Sequence, residues 1–396
     1  MSHFDFPKSQ TGEISMKLNP YTLLRSGVAL GILAMITVAA RAAAVDFDAD
    51  PTGNASYGEI NVTTDTQLEM PADGIFHCSK ITVAANATLS FAKNPLNTPV
   101  VLLAKEDVII NGTIDISGKP SGGAIGGVGG PGGFDGGHGG FGADAPGNRG
   151  GDGQGPGRGI YGGGGSVGVY AQAVGANNRI YGNVLINPLI GGSGAAGTAG
   201  NPGSGGGGGG GAILIASSTR IVINGTVNAR GGFSPFGGGS GGAVRIVAPT
   251  GGGGGRIYAD GQAGGGDGRI RVDCSDPTAF RNLSYLGNVT RGTRMYSLPP
   301  APPKLSVVSV AGQAIAVNAA EAVKFELPAG TSPNQSVVLR GAGFGANTAV
   351  QVVVIPEHSP SVVTDATLNG TANPPEVTVN VTLPVGEPVV IQAWAK

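Results

Sequence analysis

Two carboxylates and an arginine stand at alternate places in three similar stretches of this chain. The stretches read Thr113-Ile-Asp-Ile-Ser, Thr226-Val-Asn-Ala-Arg and Arg256-Ile-Tyr-Ala-Asp. If they stack, Asp115, Asn228 and Tyr258 form one outward column, and Ser117, Arg230 and Asp260 form the next. Grouped carboxylates can hold Ca²⁺, and a carboxylate pair can cleave a glycosidic bond. The same residues equally describe a solvated face with incidental charges. We therefore expect no catalytic residue and keep Asp115, Arg230 and Asp260 as the candidates to watch. No cofactor is implied, and Ca²⁺ lacks its motif: Gly129 to Asp135 reads GGPGGFD, with the aspartate one place out and no tandem array. His77, His138 and His358 have no catalytic motif around them. Cys78 and Cys274 show no metal-ligand spacing. In an oxidising compartment they are a candidate disulfide, and otherwise two buried thiols. The Gly-x-Gly-x-x-Gly matches follow from composition, and none lies between a strand and a helix, so no nucleotide site is implied.

Short strands must position these residues. Ile81, Val83, Ala85, Ala87, Leu89 and Phe91 alternate with mostly polar or small residues, the period-two pattern of a half-buried strand. A loose repeat follows. Val101-Leu-Leu-Ala leads through Val108-Ile-Ile to Asn111-Gly-Thr-Ile-Asp-Ile-Ser-Gly118. Ile213-Leu-Ile-Ala leads through Ile221-Val-Ile to Asn224-Gly-Thr-Val-Asn-Ala-Arg-Gly231. Val244-Arg-Ile-Val-Ala248 leads through a glycine tract to Arg256-Ile-Tyr-Ala-Asp-Gly261. Repeats that cannot bury their apolar face alone stack on one another. The expected fold is all-β: a right-handed parallel β-helix over residues 45–296 with long glycine-rich inserts. Sixty of the 75 glycines lie between Asn111 and Ile270. The inserts, Lys119–Gly168 and Gly191–Gly211, read either as disordered loops or as extended polyproline-II segments packed through glycine. Residues 297–304, SLPPAPPK, form a proline-rich linker. Short β-type runs over 305–396 then predict a small immunoglobulin-like β-sandwich.

The N-terminus reads as an export signal. Lys17 and Arg25 precede the apolar run Ser26–Ala40, and Arg-Ala-Ala-Ala follows. Cleavage after Ala44 leaves Val45 first, and the polar residues 1–15 read as an extension upstream of a start at Met16. The expected location is extracellular or on the cell surface, with the membrane engaged only through the signal peptide. Charged residues make up 12% of the chain, about half the usual share. There is no basic patch, so nucleic acid is not an expected partner.

Val100 to Gly118, the GGxGG-rich insert, and GGGGGGGAILIASSTRIVINGTVNARGG with GGSGGAVRIVAPT resemble glycine-rich exported bacterial parallel β-helix proteins, adhesin-like or pectin-lyase-like. Ser336-Val-Val-Leu-Arg-Gly-Ala-Gly-Phe-Gly345 resembles the start of an IPT/TIG-type immunoglobulin-like module. Gly137-His138-Gly139 and Arg269-Ile-Arg271 are similar to two polygalacturonase motifs, but that family's Asn-Thr-Asp and Asp-Asp are missing here. A long sheet face with little charge and many Asn, Thr and Ser suits weak, repeated hydrogen bonding, and so predicts a structural or adhesive protein whose partner is polysaccharide or cell-envelope material. A β-helix carbohydrate-active enzyme and a self-assembling glycine-rich scaffold stand as alternatives. Composition leaves the oligomeric state open.

Overall fold

The structure, a computed structural model, describes residues 47–144, 146–162, 166–298, 303–317, 323–345, 347–369 and 373–396. The export signal expected over 1–44 and the middle of the proline-rich linker lie outside these residues. Every regular element among the described residues is a β-strand.

Strands β1 (Gly58–Val62), β2 (Thr66–Glu69), β3 (Ile75–Val83) and β4 (Thr88–Ala92) open the molecule. Three copies of one plan follow: β5 (Val100–Ala104), β6 (Val108–Ile110), β7 (Thr113–Asp115); β8 (Ala212–Ser217), β9 (Arg220–Ile223), β10 (Thr226–Asn228); β11 (Ala243–Ala248), β12 (Thr250–Gly252), β13 (Arg256–Tyr258). Strands β14 (Arg269–Cys274), β15 (Ser284–Leu286) and β16 (Asn288–Gly292) close the series. Each strand pairs in parallel with its counterpart one copy on, so β5, β8, β11 and β14 form one ladder. The ladders make a ten-stranded sheet and a six-stranded sheet, β15-β13-β10-β7-β4-β2.

Equivalent apolar residues stack inside. Leu102, Ile215, Ile246 and Val272 are in register and buried, as are Ile114, Val227 and Ile257. Each such side chain contributes about 1.5–3 kcal/mol by leaving water. The run Ile81–Phe91, which alternates like one strand, is two strands joined by a corner at residues 84–87, where Asn86 takes φ 64°. The corner holds an even number of residues, so inward parity survives it. Only Ala85 leaves the pattern, standing exposed on the bend.

Over the described residues the glycine inserts are ordered. Gly203–Gly211 forms a rod whose amides point to three neighbours in rotation. Gly205 and Gly208 donate to Gly123 O and Lys119 O, Gly206 and Gly209 to Gly137 O and Phe134 O, and Gly207 and Gly210 to Gly237 O and Ser240 O, at 2.7–3.2 Å. Its carbonyls accept from Gly127, Gly130, Gly192, Ala195 and Gly232. A β-strand offers its hydrogen bonds to two sides only. A three-residue period is that of polyproline II, and it lets one rod bond to neighbours all round. Packing this tight admits no side chain: a Cβ on Gly209 would lie 2.0 Å from Gly192 O. For these rods disorder, the other reading of the inserts, is set aside.

Beyond the linker lie β17 (Lys304–Val310), β18 (Gln313–Ala314), β19 (Asn334–Ala342), β20 (Ala349–Pro356), β21 (Val362–Thr367), β22 (Glu376–Thr382) and β23 (Val389–Ala395). They form two antiparallel sheets, β18-β17-β19-β22 and β21-β20-β23. The sheets share a core that includes Val337, Leu339, Val350, Val352 and Val379. Strand β21 is absent from the sequence expectation, because its side chains are exposed or half-buried and carry no apolar alternation.

Candidate functional site

The outer surface of the six-stranded sheet carries the residues that the sequence singles out. Ile114, Val227 and Ile257 point inward, so their neighbours point out. Thr88, Thr113, Thr226, Arg256 and Ser284 form one column, and Gln67, Ser90, Asp115, Asn228, Tyr258 and Leu286 form the next. Steps along each column are about 4.8 Å. The ladder continues past the strand ends, because Gly118 N donates to Arg230 O (2.8 Å) and Gly231 N to Asp260 O (3.1 Å). Both columns expected from the repeat are therefore formed. Thr88 also joins Thr113 and Thr226 in register, making a ladder of three threonines.

The charges on this face are partnered locally. Asn228 Nδ2 donates to Asp115 Oδ1 at 2.9 Å, Ser117 N donates to the same oxygen at 3.1 Å, and Lys119 Nζ lies 3.8 Å from Oδ2. Arg230 Nε donates to Asp260 Oδ1 at 2.8 Å, and Gln262 Nε2 to Oδ2 at 3.1 Å. The Arg230 guanidinium also lies over the Tyr258 ring, 3.9 Å from its centroid. Burial pushes the nearby Asp267 carboxyl above its usual value; a hydrogen bond from the Gly261 backbone opposes this, and the Asp260 charge adds to it. Asp115 and Asp260 thus belong to two separate ion pairs, and Arg230 is committed to one of them. Among the described residues no group of three or more His, Cys, Asp and Glu is placed to hold a metal ion. Chemically the face offers hydroxyl, amide and guanidinium donors at regular steps, with one aromatic ring.

The other singled-out residues lie elsewhere. Cys78 and Cys274 are free and buried, which corrects the candidate disulfide. They sit on β3 and β14, four ladder steps apart through β5, β8 and β11. That is about 19 Å, while a disulfide bridges Cα atoms at most about 7 Å apart. Burial, with the Asp50 charge adding to it, pushes the Cys78 thiol up to about 12. His138 Nδ1 accepts from Gly126 N at 3.0 Å inside the glycine bundle. His77 Nδ1 pairs with the buried Asp50 at 2.8 Å. Arg271 and Asp273 are buried together. The segment after β16 covers them, with Arg294 N donating to Asp273 and Arg245 donating to the carbonyls of Tyr296 and Ser297.

The chain matches no protein-family profile, no curated protein and no solved structure.

Proposed function

We propose that this protein is an exported structural or adhesive protein, extracellular or held at a cell surface, that binds polysaccharide or cell-envelope material without chemically altering it. On this reading the parallel coil is a β-helix, right-handed as parallel crossovers almost always are, and the C-terminal module is an immunoglobulin-like spacer. The observation that carries the reading is the in-register face of the six-stranded sheet. Thr88, Thr113 and Thr226 lie beside Ser90, Asp115, Asn228 and Tyr258, and donors recur at a constant step. A polymer of hydroxyl groups can meet such a face with several weak hydrogen bonds at once. Neutral hydrogen bonds are worth only about 0.5–1.5 kcal/mol each, so affinity comes from their number. The two ion pairs leave the face nearly balanced in charge, which suits a retained ligand. Acid–base cleavage would instead need two convergent carboxylates.

The test is depletion of residues 45–396 from solution by a panel of insoluble polysaccharides, with released reducing sugar measured in the same tubes. The expected result is depletion without sugar release, weakened about tenfold in an Asn228→Ala/Tyr258→Ala double variant. Reducing ends appearing with time, and falling in Asp260→Asn, would replace adhesion by catalysis.

A further inference from the structure

The parallel coil is incomplete at both ends, and the two part-turns complement each other. A full turn has three strands in order, as in β5, β6 and β7. Over the described residues the coil opens on strands in second and third place. There β1 pairs with the half of β3 that leads to β6, and β2 pairs with β4, which leads to β7. The coil closes on β16, which pairs with β14 in first place, and the chain then turns back over Arg271 and Asp273. The opening part-turn therefore lacks the strand that the closing one supplies. Strands β2 and β15 are the outer strands of the six-stranded sheet, each bonded on one side only. An unpaired strand edge is a template for another chain. Beyond β12 the second place of the last turn is taken by the segment after β14, whose buried Phe280 ring packs against Gly251.

The two ends carry opposite charge. From Phe47 to Ser79 the chain holds six acidic residues and no lysine or arginine, and from Pro277 to Leu298 it holds three arginines and no acid. Asp48 and Asp50 are spent on Lys105 and His77. Glu59 on β1, Glu69 on β2 and Asp65 between them are exposed, and none enters an ion pair among the described residues. At the closing end Arg281 and Arg291 are exposed and also unpaired with any described acid; they donate to the carbonyls of Pro277, Ala279 and Phe280. Asp276, the acid just before them, accepts from the Thr278 amide and hydroxyl. Core-facing apolar groups are also left open at both ends. Val289 stands in register with the buried Ile270 yet is 38% exposed, and Tyr57 meets the buried Phe76 edge-on while 44% exposed. Charges along a strand edge commonly keep copies apart. Here they repel only where like ends meet, and they favour an opening end against a closing end.

We infer that the coil ends join head to tail, with a second copy of this chain as the partner. Strand β2 of one copy pairs in parallel with β15 of the other, and β16 fills the first place that the opening turn lacks. Every strand of the six-stranded sheet runs the same way, so an added copy continues it without reversal. Glu59 and Glu69 then face the turn that carries Arg281 and Arg291. Such a contact joins two different surfaces and does not close on itself, so copies add into an open filament. The inference goes beyond the adhesive reading and stands without it.

The experiment is sedimentation of the exported chain across a wide range of concentration, in dilute salt and at about 1 M, where charges are screened within about 3 Å. Mass should grow with concentration past that of a dimer, and grow less in strong salt. Glu59→Lys/Asn61→Lys/Glu69→Lys turns the opening end basic, and Arg281→Glu/Asn282→Glu/Asn288→Glu turns the closing end acidic. Each variant alone then has like ends and should associate at least about tenfold more weakly. An equal mixture of the two should recover, because unlike ends meet again. All six positions are exposed, and circular dichroism checks that each variant folds. A constant monomer mass overturns the inference. Growth that stops at a dimer also overturns it, since that marks a closed contact. Growth that neither variant weakens places the contact elsewhere, and weakening without recovery in the mixture shows that the two ends do not meet each other.

Discussion

Replacing Gly207 with alanine should unseat the glycine bundle. Gly207 N donates to Gly237 O at 3.0 Å, and its carbonyl accepts from Ala195 N at 2.9 Å. A methyl group there would meet Gly232 O at 2.0 Å, Gly232 C at 2.8 Å and Gly239 N at 2.9 Å. All three are main-chain atoms, which have no rotamer to escape into. Ordinary contact begins near 3.4 Å, so the rods must part by more than an ångström, and that breaks hydrogen bonds on both sides. Overpacking costs about 1–3 kcal/mol, and each lost hydrogen bond about 0.5–1.5 kcal/mol. Against this, alanine stiffens the unfolded chain, a gain of about 0.4–1 kcal/mol. The net is a loss of roughly 2–5 kcal/mol, a large part of the roughly 5–15 kcal/mol that holds a typical domain. Gly122→Ala is the matched control, since its methyl would have no heavy atom within 4 Å. There only the unfolded-chain gain operates, and stability should hold or rise slightly. The assay is the denaturant midpoint followed by far-ultraviolet circular dichroism, together with amide hydrogen exchange over residues 205–211. Equal midpoints for the two variants, or unprotected exchange at 205–211 in the unaltered protein, would refute the reasoning.

Both thiols should resist a thiol reagent in the folded protein and titrate as two free groups in denaturant; a mass two units short after non-reducing preparation would contradict that. Stability should fall as the pH drops below about 4, in part through Asp107. Burial pulls its carboxyl upward, but Thr219 and Arg220 outweigh that and hold it below its usual value. A depressed carboxyl stabilises the fold above its unfolded value, and that contribution is lost as pH falls through the folded one. Urea midpoints measured across pH 2–6 should therefore show a shallower acid limb in Asp107→Asn, and an unchanged limb would assign the acid loss elsewhere. Arg149 donates to the carbonyls of Gly150, His358 and Ser359, so Arg149→Ala should speed amide exchange over residues 357–361, and identical exchange would show that its bonds to His358 and Ser359 do not hold that segment.

Parity and repetition are local properties, and they were legible in the chain. Ile114, Val227 and Ile257 repeat with their polar neighbours at fixed offsets, so stacking the copies places Asp115, Asn228 and Tyr258 in a column whatever the rest of the molecule does. The C-terminal strands were visible for the same reason, apart from β21, whose exposed surface leaves no pattern. Tertiary structure alone decided the rest. Whether Gly205–Gly211 is ordered depends on carbonyls from distant segments such as Lys119, Phe134 and Ser240, and a glycine run carries no mark of who its neighbours are. The partners of Asp115 and Asp260 were settled by which cation the packed chain places beside each, Lys119 for one and Arg230 for the other.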